Sequence, residues 1–466
     1  MSLDGSSDRI PEQTAPARLS RRRFLLTSSV GVAVVALGSV ACGPSTPSAP
    51  APTAPAAGGA PAQTGPGGFS GGGTLKLLVQ SHFVPAYDTW FDKWAADWGA
   101  KNKVEIQADH ILSAQLAAKI AAEVAAGGGH DIYRLSRSGE PQLFYKQMVD
   151  VSDISNALGS AHGGWIQLGE QVGVVDGVWR AVPEYFIDFP ALYRKDIFDD
   201  LGLKPIDTWD DLLKSGTILK DKGFPIGIPI NQQSNDASNS WNSLLWCFGA
   251  STVGPDGKTI TIDSPETRDA LKFAVELYNK TMTNEVLSWD DTANNLLLAG
   301  GKGSYIQNPI SALRTIEKEN PELAKKILIS NPPAGPKGRH AQVSVNSWGV
   351  ANWASSVPAA KALLTDYYQV LLDGVKASEG YNQPVLKNFR KKPMPILGED
   401  PRMTQLQDFD QYAHATGWPG APTPQAGEVE TNWIVPQMVG RAVQGGDIDG
   451  AVEWAESRIK AIMAKA

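Results

Sequence analysis

The sequence predicts an α/β protein that is built around a mainly parallel sheet. From Thr74 to Leu135, short apolar runs alternate with helical segments in the order strand, helix, strand, helix, strand. Because helices that connect parallel strands cover both faces of their sheet, this order is typical of the α/β class. The chain has 466 residues, of which 42% are hydrophobic, and is therefore long enough to bury a large core and to form more than one domain.

Each element of this first region has its own residue pattern. The apolar run from Leu75 to Val79 predicts a buried strand. The next segment carries four aromatic residues on one helical stripe, which favours a buried face, and the second helix ends at consecutive glycines. The patterns are Trp90, Phe91, Trp94 and Trp98 in the first helix; Val104, Ile106 and Ala108 in the second strand; Ser113 as a helix cap before Leu116, Ile120 and Val124; Gly127, Gly128 and Gly129 as the helix end; and Ile132 to Leu135 as the third strand.

Polar residues follow the first and third predicted strands. Gln80, Ser81 and His82 come after the first strand, and Ser136 and Arg137 come after the third. In open α/β sheets, ligands bind in the crevice beyond the carboxyl ends of the strands, so these residues are expected to face a ligand. For His82 a structural role is the alternative, because a single histidine at a strand end is often held by hydrogen bonds within the fold.

The first 41 residues have the features of an export signal. Three arginines at positions 21–23 precede Phe24, and no charged residue occurs from there to Ala41. A basic segment, an apolar segment and small residues in this order are typical of a signal peptide. The adjacent arginines followed by Phe and Leu resemble a twin-arginine signal. A Sec signal and a permanent membrane anchor are the alternatives, and the shortness of the apolar segment disfavours the anchor.

The signal ends at a sequence that resembles the lipobox of bacterial lipoproteins. Ser39, Val40 and Ala41 precede Cys42, which corresponds to the lipidated cysteine, although Leu is more usual at the position of Ser39. Residues 42–73 carry no charge and are rich in Pro, Gly and Ala, which is typical of a disordered linker. These features predict an extracytoplasmic protein that lipids on Cys42 tether to the cell membrane.

Charge and cysteine content narrow the classes of function. The formal net charge of −7 argues against a general nucleic-acid-binding surface, so no nucleic acid is expected as a partner. With Cys42 lipidated, Cys247 is the one remaining cysteine, and no intrachain disulfide can form. Its neighbours Trp246 and Phe248 predict a buried structural thiol rather than a nucleophile.

Three segments further along the chain carry ordered motifs. They run from Val182 to Leu212, from Leu298 to Pro309 and from Asn331 to Arg339. The motifs are Val182-Pro183, Ala191-Leu192-Tyr193-Arg194-Lys195-Asp196, Gly202-Leu203, Thr208-Trp209-Asp210, Gly300-Gly301-Lys302-Gly303 and Pro333-Ala334-Gly335-Pro336-Lys337-Gly338. Together they resemble the signature of extracellular solute-binding protein family 1, the maltose-binding-like lipoproteins of ABC importers. The resemblance extends over residues 74–466 and departs mildly at Arg194, where the family commonly has Asn.

The resemblance implies a periplasmic-binding-protein-like fold, in which a three-segment hinge joins two α/β lobes with a ligand cleft between them. The lobe segments that it implies are 74–187 with 307–345 for lobe 1, and 188–306 with 346–466 for lobe 2. The expected crossings between the lobes are near 187–189, 306–307 and 345–348. A ligand in such a cleft touches both lobes only when they close, so binding selects the closed state.

The same resemblance implies a carrier that delivers a small-molecule solute to the transmembrane subunits of an ABC permease. We expect a monomer that requires no cofactor and no metal. Amino acids, polyamines and metals are alternative solutes, and an arginine–aspartate clamp formed by Arg137 and Asp188 would suit an amino acid. The pair Tyr367 and Tyr368 resembles that of ferric-ion carriers, but the apolar residues around it favour a packed helix.

Aromatic and hydrogen-bonding side chains near the expected crossings and in loops favour a carbohydrate. Sugars have an apolar ring face and a rim of hydroxyls, so their sites need flat aromatic faces beside groups that donate and accept hydrogen bonds. The expected aromatic faces are Tyr185, Trp241, Trp348 and Trp418. The expected polar groups are Asp188, Asn242, Gln307, Asn308 and Asn346, with His82 and Ser136 at the strand ends. The alternative is that the tryptophans fill cores beneath loops and that Asp188 and Gln307 stabilise the hinge.

The chain lacks the motifs of common secreted enzymes. It contains no His-Glu-x-x-His, no paired-cysteine motif, no Gly-x-Ser-x-Gly and no phosphate-binding loop. Its six histidines include no pair at the helical spacing of metal ligands. We therefore predict a protein without catalytic residues. A secreted glycan-active enzyme and a lipid-tethered adhesion protein without a small ligand are the alternatives to a carrier.

Overall fold

A computed structural model describes residues 71–230 and 234–465. The predicted signal peptide at 1–41, the predicted lipidation site Cys42 and most of the predicted linker at 42–73 lie outside the described residues. At the end of that linker, the Gly72 amide donates a hydrogen bond to the Lys103 carbonyl at 2.7 Å, so the folded part begins by Gly72.

Strands and helices alternate along the described residues. The strands are β1 (Thr74–Gln80), β2 (Glu105–Ile111), β3 (Ile132–Leu135), β4 (Val174–Val175), β5 (Val178–Trp179), β6 (Val182–Ile187), β7 (Ala191–Arg194), β8 (Ile226–Gly227), β9 (Tyr305–Gln307), β10 (Ile327–Ser330), β11 (Ala341–Gln342), β12 (Ser344–Val350), β13 (Gln383–Pro384) and β14 (Ala413–His414). The α-helices are α1 (Pro85–Asn102), α2 (Ser113–Ala126), α3 (Glu140–Leu143), α4 (Ser152–Ala161), α5 (Gln167–Gly173), α6 (Lys195–Asp200), α7 (Trp209–Asp221), α8 (Asn235–Phe248), α9 (Pro265–Thr281), α10 (Ala293–Ala299), α11 (Ser311–Glu319), α12 (Pro321–Ala324), α13 (Val357–Gln369), α14 (Leu371–Ala377), α15 (Pro424–Thr431), α16 (Ile434–Gly445) and α17 (Ile448–Met463). Short 3₁₀ helices cover Tyr145–Gln147, Asn284–Leu287, Lys387–Arg390 and Thr404–Gln411.

The two larger sheets define two lobes. Lobe 1 contains a six-stranded sheet in the order β13-β6-β12-β3-β1-β2, and lobe 2 contains a four-stranded sheet in the order β10-β7-β9-β8. In lobe 1, β1 pairs in parallel with both β2 and β3, as the strand–helix alternation predicts, whereas β12 is antiparallel to β3 and β6. A separate two-stranded pair joins β11 to β14. The α/β class predicted from the sequence is confirmed.

The chain passes from one sheet to the other at places that only partly match the expected crossings. The first passage is at 188–190, between β6 and β7, close to the expected position. The expected crossings at 306–307 and 345–348 instead lie inside β9 and β12, and each of these strands has partners on both sides within one sheet. A loop motif indicates where the chain turns, but it does not reveal which sheet accepts the following strand.

This pairing changes the segments that belong to each lobe. β10, at 327–330, pairs with β7 and lies in lobe 2, although 307–345 was expected in lobe 1. β12 lies in lobe 1, together with helix α13 that packs on it, although 346–466 was expected in lobe 2. The chain therefore changes sheet at 331–343, between β10 and β12, and the C-terminal helices α16 and α17 pack in lobe 2 against α9.

Sequence patterns explain how several helices begin and pack. The predicted aromatic stripe lies on α1, where Phe91 and Trp98 are buried and Trp90 and Trp94 pack partly buried against the same core. Ser113 was expected to cap α2, but Leu112 occupies the cap position and the Ser113 hydroxyl accepts a hydrogen bond from Asn235 in lobe 2.

Two further helices begin at the residues that the sequence favours. The Thr208 hydroxyl accepts a hydrogen bond from the Asp211 amide at 3.0 Å, and the Asp211 carboxylate accepts one from the Thr208 amide at 3.0 Å. This capping box starts α7. At α17, the Asp447 carboxylate accepts a hydrogen bond from the Gly450 amide at 2.9 Å, so this side chain caps the helix. Within residues 71–230 and 234–465, no helix is both long enough and apolar enough to cross a membrane.

Candidate functional site

A narrow cavity lies where residues of lobe 1 and lobe 2 face each other. On the lobe 1 side it is bordered by Gln80 at the end of β1 and Ser136 after β3, and on the lobe 2 side by Asp236 in α8 and Asn308 after β9. We call it the cleft cavity. Its volume is about 20 Å³, which is room for a water molecule but not for a sugar ring. Its position at strand carboxyl ends agrees with the general location of ligand sites in α/β folds.

Two of the predicted site residues, Ser136 and Asn308, border this cavity from opposite lobes. The Ser136 amide donates to the Glu140 carboxylate at 2.7 Å, and its hydroxyl lies at the cavity wall. The Asn308 side chain donates to the Pro309 carbonyl at 2.9 Å and accepts from Asn294 at 3.0 Å. The Ser136 backbone and the Asn308 side chain are therefore held in position by neighbouring groups.

Two carboxyl groups, those of the buried Asp236 and the half-buried Asp291, border the same cavity. The Asp236 carboxyl accepts a hydrogen bond from Asn294 at 2.7 Å, and the Asp291 carboxyl accepts one from the Ser234 hydroxyl at 2.8 Å. Burial raises the pKa of both groups, and repulsion from Asp291 raises the pKa of Asp236 further. A carboxyl group that keeps its proton can both donate to and accept from a hydroxyl group.

Hydrogen bonds between the lobes hold them in a closed arrangement. Asn235 of lobe 2 donates to the Ser113 hydroxyl of lobe 1 at 3.0 Å, and the Gly139 amide of lobe 1 donates to the Glu430 carboxyl of lobe 2 at 3.1 Å. Burial raises the pKa of Glu430 to about 7, against the opposing effect of the Arg137 charge. Because the cleft cavity is smaller than a solute, entry of a solute requires these contacts to open.

Arg137 and Trp433 meet from opposite lobes at the side of the cleft. The guanidinium carbon of Arg137 lies 4.2 Å from the centre of the Trp433 ring. Trp433 has a φ of 56°, a left-handed conformation that is strained for an aromatic residue. Both residues border a larger depression between α2, α15 and the end of α17, with a volume of about 990 Å³. We call this depression the outer groove.

Tyr185 and Trp348 were expected to offer aromatic faces to a ligand, but the structure places both in the core of lobe 1. Their rings surround the guanidinium of Arg134, at 5.3 Å from Tyr185 and 4.6 Å from Trp348. Trp348 also stacks on Phe91, with ring centres 5.7 Å apart. Neither residue borders the cleft cavity or the outer groove. The cause is the pairing of β6 and β12 in the middle of a sheet, which buries both rings.

Trp241, Asn242 and Trp418 also lie away from the cleft cavity. Trp241 is buried in the core of lobe 2, where its ring nitrogen donates to the Pro229 carbonyl at 2.7 Å. The Asn242 amide donates to a backbone carbonyl of α8 and borders a separate small cavity. The Trp418 ring stacks on His414 with ring centres 4.4 Å apart, beside the β11–β14 pair. Both tryptophans therefore pack against other protein side chains, as the alternative to a ligand contact expects.

Asp188 and His82 make hydrogen bonds inside the protein. Asp188 lies at the first crossing, accepts a hydrogen bond from Gln383, and has a pKa raised to about 7 by burial. His82 lies 3.0 Å from the side-chain oxygen of Asn382, and burial lowers the pKa of the imidazole to about 3, so this ring is neutral near pH 7. Both environments suit structural roles.

Gln307 and Asn346 are buried with unsatisfied groups. Both polar atoms of the Gln307 side chain, and the amide nitrogen of Asn346, have no hydrogen-bond partner among the described residues. Neither residue borders the cleft cavity. Within residues 71–230 and 234–465, no group of three or more His, Cys, Asp or Glu side chains is arranged to hold a metal ion.

Several residues around the cleft were missed by sequence reasoning. Asp236 lies in a polar run that continues into the first turn of α8, and Asp291 is one of two adjacent aspartates that look like a solvated loop. Phe189 and Tyr381 border the cavity without any local motif. Trp433 directly precedes α16 and also has no local motif.

Comparison with known proteins gives matches over most of the chain. Residues 84–365 match a family model described as bacterial extracellular solute-binding protein. A protein of Deinococcus radiodurans described as a probable ABC transporter-binding protein is 27% identical over 349 residues, which cover 71% of this chain and 79% of the relative.

Solved structures share the fold at low identity. A maltose-bound protein of T. maritima is 19% identical, with a TM-score of 0.73, and the match covers 84% of this chain and 100% of that chain. A sugar transporter of Arthrobacter chlorophenolicus with bound laminaribiose is 18% identical, with a TM-score of 0.74 and coverage of 83% and 99%. A solute-binding protein of Agrobacterium vitis with bound D-mannitol is 18% identical, with a TM-score of 0.67 and coverage of 84% and 99%. Because the sequence identities are below 20%, the structural similarity establishes only the two-lobed fold.

Proposed function

Because the chain belongs to the bacterial extracellular solute-binding protein family, we propose that it captures a carbohydrate between its lobes and delivers it to the membrane permease of an ABC importer. In this role the protein binds and releases its solute without changing it chemically. The permease distinguishes the loaded carrier from the empty one by the relative position of the lobes.

The observation that carries this proposal is the composition of the cleft cavity. Its walls combine hydroxyl and amide groups of Ser136 and Asn308 with the aromatic rings of Phe83, Phe189 and Tyr381. Such walls suit the hydroxyl rim and the apolar face of a sugar. The three solved structures of similar fold hold maltose, laminaribiose and D-mannitol, which supports the same class of solute.

The contacts between the lobes provide the mechanism of capture. In the open state, the Asn235–Ser113 and Gly139–Glu430 hydrogen bonds are broken and the cavity walls are accessible. A solute that contacts both walls favours closure because it interacts with both lobes only in the closed state. The carboxyl groups of Asp236 and Asp291 provide hydrogen-bond acceptors for sugar hydroxyls on the lobe 2 side.

The family is extracellular, and we propose that lipids on Cys42 hold this member at the outer side of the cell membrane after export by a twin-arginine signal. The expected result is incorporation of a labelled fatty acid into the full chain and its recovery with the membrane fraction. The Cys42→Ala variant should lose the label and become soluble. Labelling that survives in the variant would contradict the assignment.

Size-exclusion chromatography of the folded part should give a monomer.

Thermal-shift screening followed by calorimetry tests the proposal that the solute is a carbohydrate. We expect at least one mono- or oligosaccharide to stabilise the protein, whereas amino acids, polyamines and divalent metals do not. Asn308→Ala should weaken binding about tenfold, since one lost hydrogen bond with a buried partner costs about 1–3 kcal/mol. Asn279→Ala, an exposed asparagine on α9, is the matched control. Stabilisation by charged non-sugar compounds alone would overturn the proposal.

A further inference from the structure

The guanidinium of Arg137 is a buried cation without a polar partner among the described residues. Arg137 is 5% exposed and borders the outer groove. Its guanidinium group forms no hydrogen bond and no ion pair within 4.0 Å with any described residue, and it lies over the ring of Trp433. A buried charge is costly unless it is paired, so this group requires an explanation.

The nearest carboxyl groups interact with other donors. Glu140 accepts hydrogen bonds from the backbone amides of Ser136 and Arg137, at 2.7 and 3.2 Å. Glu430 accepts from the Gly139 amide and from the side chain of Gln342, at 3.1 and 3.2 Å. The Arg137 charge opposes the rise in pKa that burial causes in these two groups and in Asp291, but none of the three forms an ion pair with the guanidinium.

The outer groove has a surplus of positive charge. Besides Arg137, it is bordered by Lys146, which forms no ion pair with any described residue, and by Lys465, which is paired with Glu428. The groove therefore holds two cations that form no ion pair with any described residue, and one of them is buried. With a volume of about 990 Å³, it is wide enough for a sugar unit.

We propose that the guanidinium of Arg137 binds an oxyanion of the solute, so that the cargo is an acidic saccharide. The inference rests on the proposed function and narrows its class of solute. The oxyanion is a carboxylate, as in a uronic acid, or a sulfate or phosphate ester. The planar guanidinium presents parallel N–H donors that match two oxygens of such a group. The Trp433 ring orients the guanidinium from the opposite lobe, so the charged contact forms as the lobes close.

Calorimetry with matched sugar pairs tests this inference. The pairs are D-glucuronate with D-glucose and D-galacturonate with D-galactose, as monosaccharides and as disaccharides, with glucose 6-sulfate and glucose 6-phosphate to identify the type of oxyanion. We expect at least one acidic member to bind tenfold or more tightly than its neutral match, with a preference that declines as ionic strength rises. Arg137→Gln should abolish the preference, and Arg137→Lys should retain part of it, because lysine keeps the charge but not the paired donors.

Arg441 provides a matched control. Its guanidinium lies 4.3 Å from the ring of Trp454, so it forms an arginine–tryptophan pair away from the cleft, but Arg441 is exposed. Arg441→Gln should leave the preference unchanged, and the melting temperature of each variant checks folding. Equal affinity for acidic and neutral sugars, or a preference that survives Arg137→Gln, would overturn the inference while leaving the carbohydrate carrier intact. Failure of every saccharide, with stabilisation by amino acids or polyamines, would overturn the proposed function as well.

Discussion

Arg134 and Arg137 lie three residues apart and are both buried, yet their surroundings differ. Arg134 forms an ion pair with Glu184 at 2.6 Å, and aromatic rings enclose its guanidinium. The Tyr87 hydroxyl donates to the same carboxylate at 2.9 Å. Arg137, at the edge of the cleft, has one aromatic contact and no ion pair with any described residue. The charge of Arg134 is paired within lobe 1, whereas we propose that the charge of Arg137 is paired with an oxyanion of the solute.

This difference separates structural polar residues from functional ones. A buried charge that its own lobe neutralises contributes to a unique core, and its removal acts on stability. A buried charge that stays without a partner retains its capacity to bind, and its removal acts on a ligand. The two tryptophans beside the arginines should behave in the same way, with Trp348 serving the core and Trp433 serving the cleft.

The largest expected effect is that of removing the ring beside the paired arginine. Trp348→Ala should reduce the free energy of unfolding by about 4 kcal/mol, because a fully buried ring is replaced by a cavity. Urea unfolding followed by circular dichroism measures this change. A stable variant with weakened solute binding would instead return Trp348 to the candidate site and remove the contrast with Trp433.

Glu184→Gln removes the carboxylate that forms the ion pair with Arg134. We expect a loss of about 3 kcal/mol in the free energy of unfolding, since the substitution leaves the buried charge of Arg134 uncompensated. Lys93→Gln is the control, because the Lys93–Asp97 pair is exposed and its loss should leave the urea midpoint unchanged. Similar midpoints for both variants would show that the buried pair adds no more than a surface pair.

The pH dependence of the free energy of unfolding in Asp188→Asn tests the carboxyl group at the first crossing, for comparison with Glu430 in the cleft. Burial raises the pKa of Asp188 from 3.8 to about 7, so the folded protein favours the neutral carboxyl. The contribution of Asp188 to stability is therefore full below about pH 4 and declines by about 1.4 kcal/mol per pH unit until about pH 7. Asn cannot ionise, and the variant should show a shallower decline over this window. Glu430→Gln, in the cleft, should act similarly because its pKa is also about 7.

An unchanged slope in Asp188→Asn would mean that this carboxyl is ionised throughout the window. Measurements of urea unfolding at intervals between pH 4 and 8 are sufficient to detect the difference. A change in Glu430→Gln alone would place the dominant titration at the interface between the lobes rather than at the first crossing.

The smallest expected effect on stability is that of Trp433→Gly. Glycine tolerates the φ of 56°, and the ring is only partly buried, so the free energy of unfolding should change by less than about 1 kcal/mol. Solute binding should weaken about tenfold, which corresponds to about 1.4 kcal/mol. Calorimetry with the saccharide found by screening measures this, and Trp454→Ala is the control away from the cleft. Unchanged affinity would exclude Trp433 from the site.

Much of the fold could be predicted from local patterns. The apolar run at Leu75 to Val79 and the aromatic stripe from Trp90 to Trp98 correspond to β1 and α1, because their burial follows from the period of the element itself. The second and third crossings could not be predicted in this way. Whether β10 and β12 join one sheet or the other depends on backbone pairing with strands that are more than a hundred residues distant.

The candidate site was less predictable than the fold. Ser136 was predicted from its position after a strand and Asn308 from its position near an expected crossing, and both border the cleft cavity. Tyr185, Trp241 and Trp348 have the aromatic side chains that a sugar site needs, but aromatic side chains are equally suited to a core, and all three are buried. Asp236 and Asp291 carry no local signal, since their proximity arises from the packing of α8 against a loop more than fifty residues away.

The sequence by itself therefore determined the α/β class, the family and the faces of the helices that are buried, because periodicity and ordered motifs are local properties. Only the tertiary structure decided which strands share a sheet and which buried polar groups have partners. The ion-pair partner of Arg134 and the aromatic contact of Arg137 come from distant parts of the chain, so two nearby arginines of the same type differ only once the chain is folded. The physical reason is that the cost of burying a charge depends on its neighbours in space rather than in sequence.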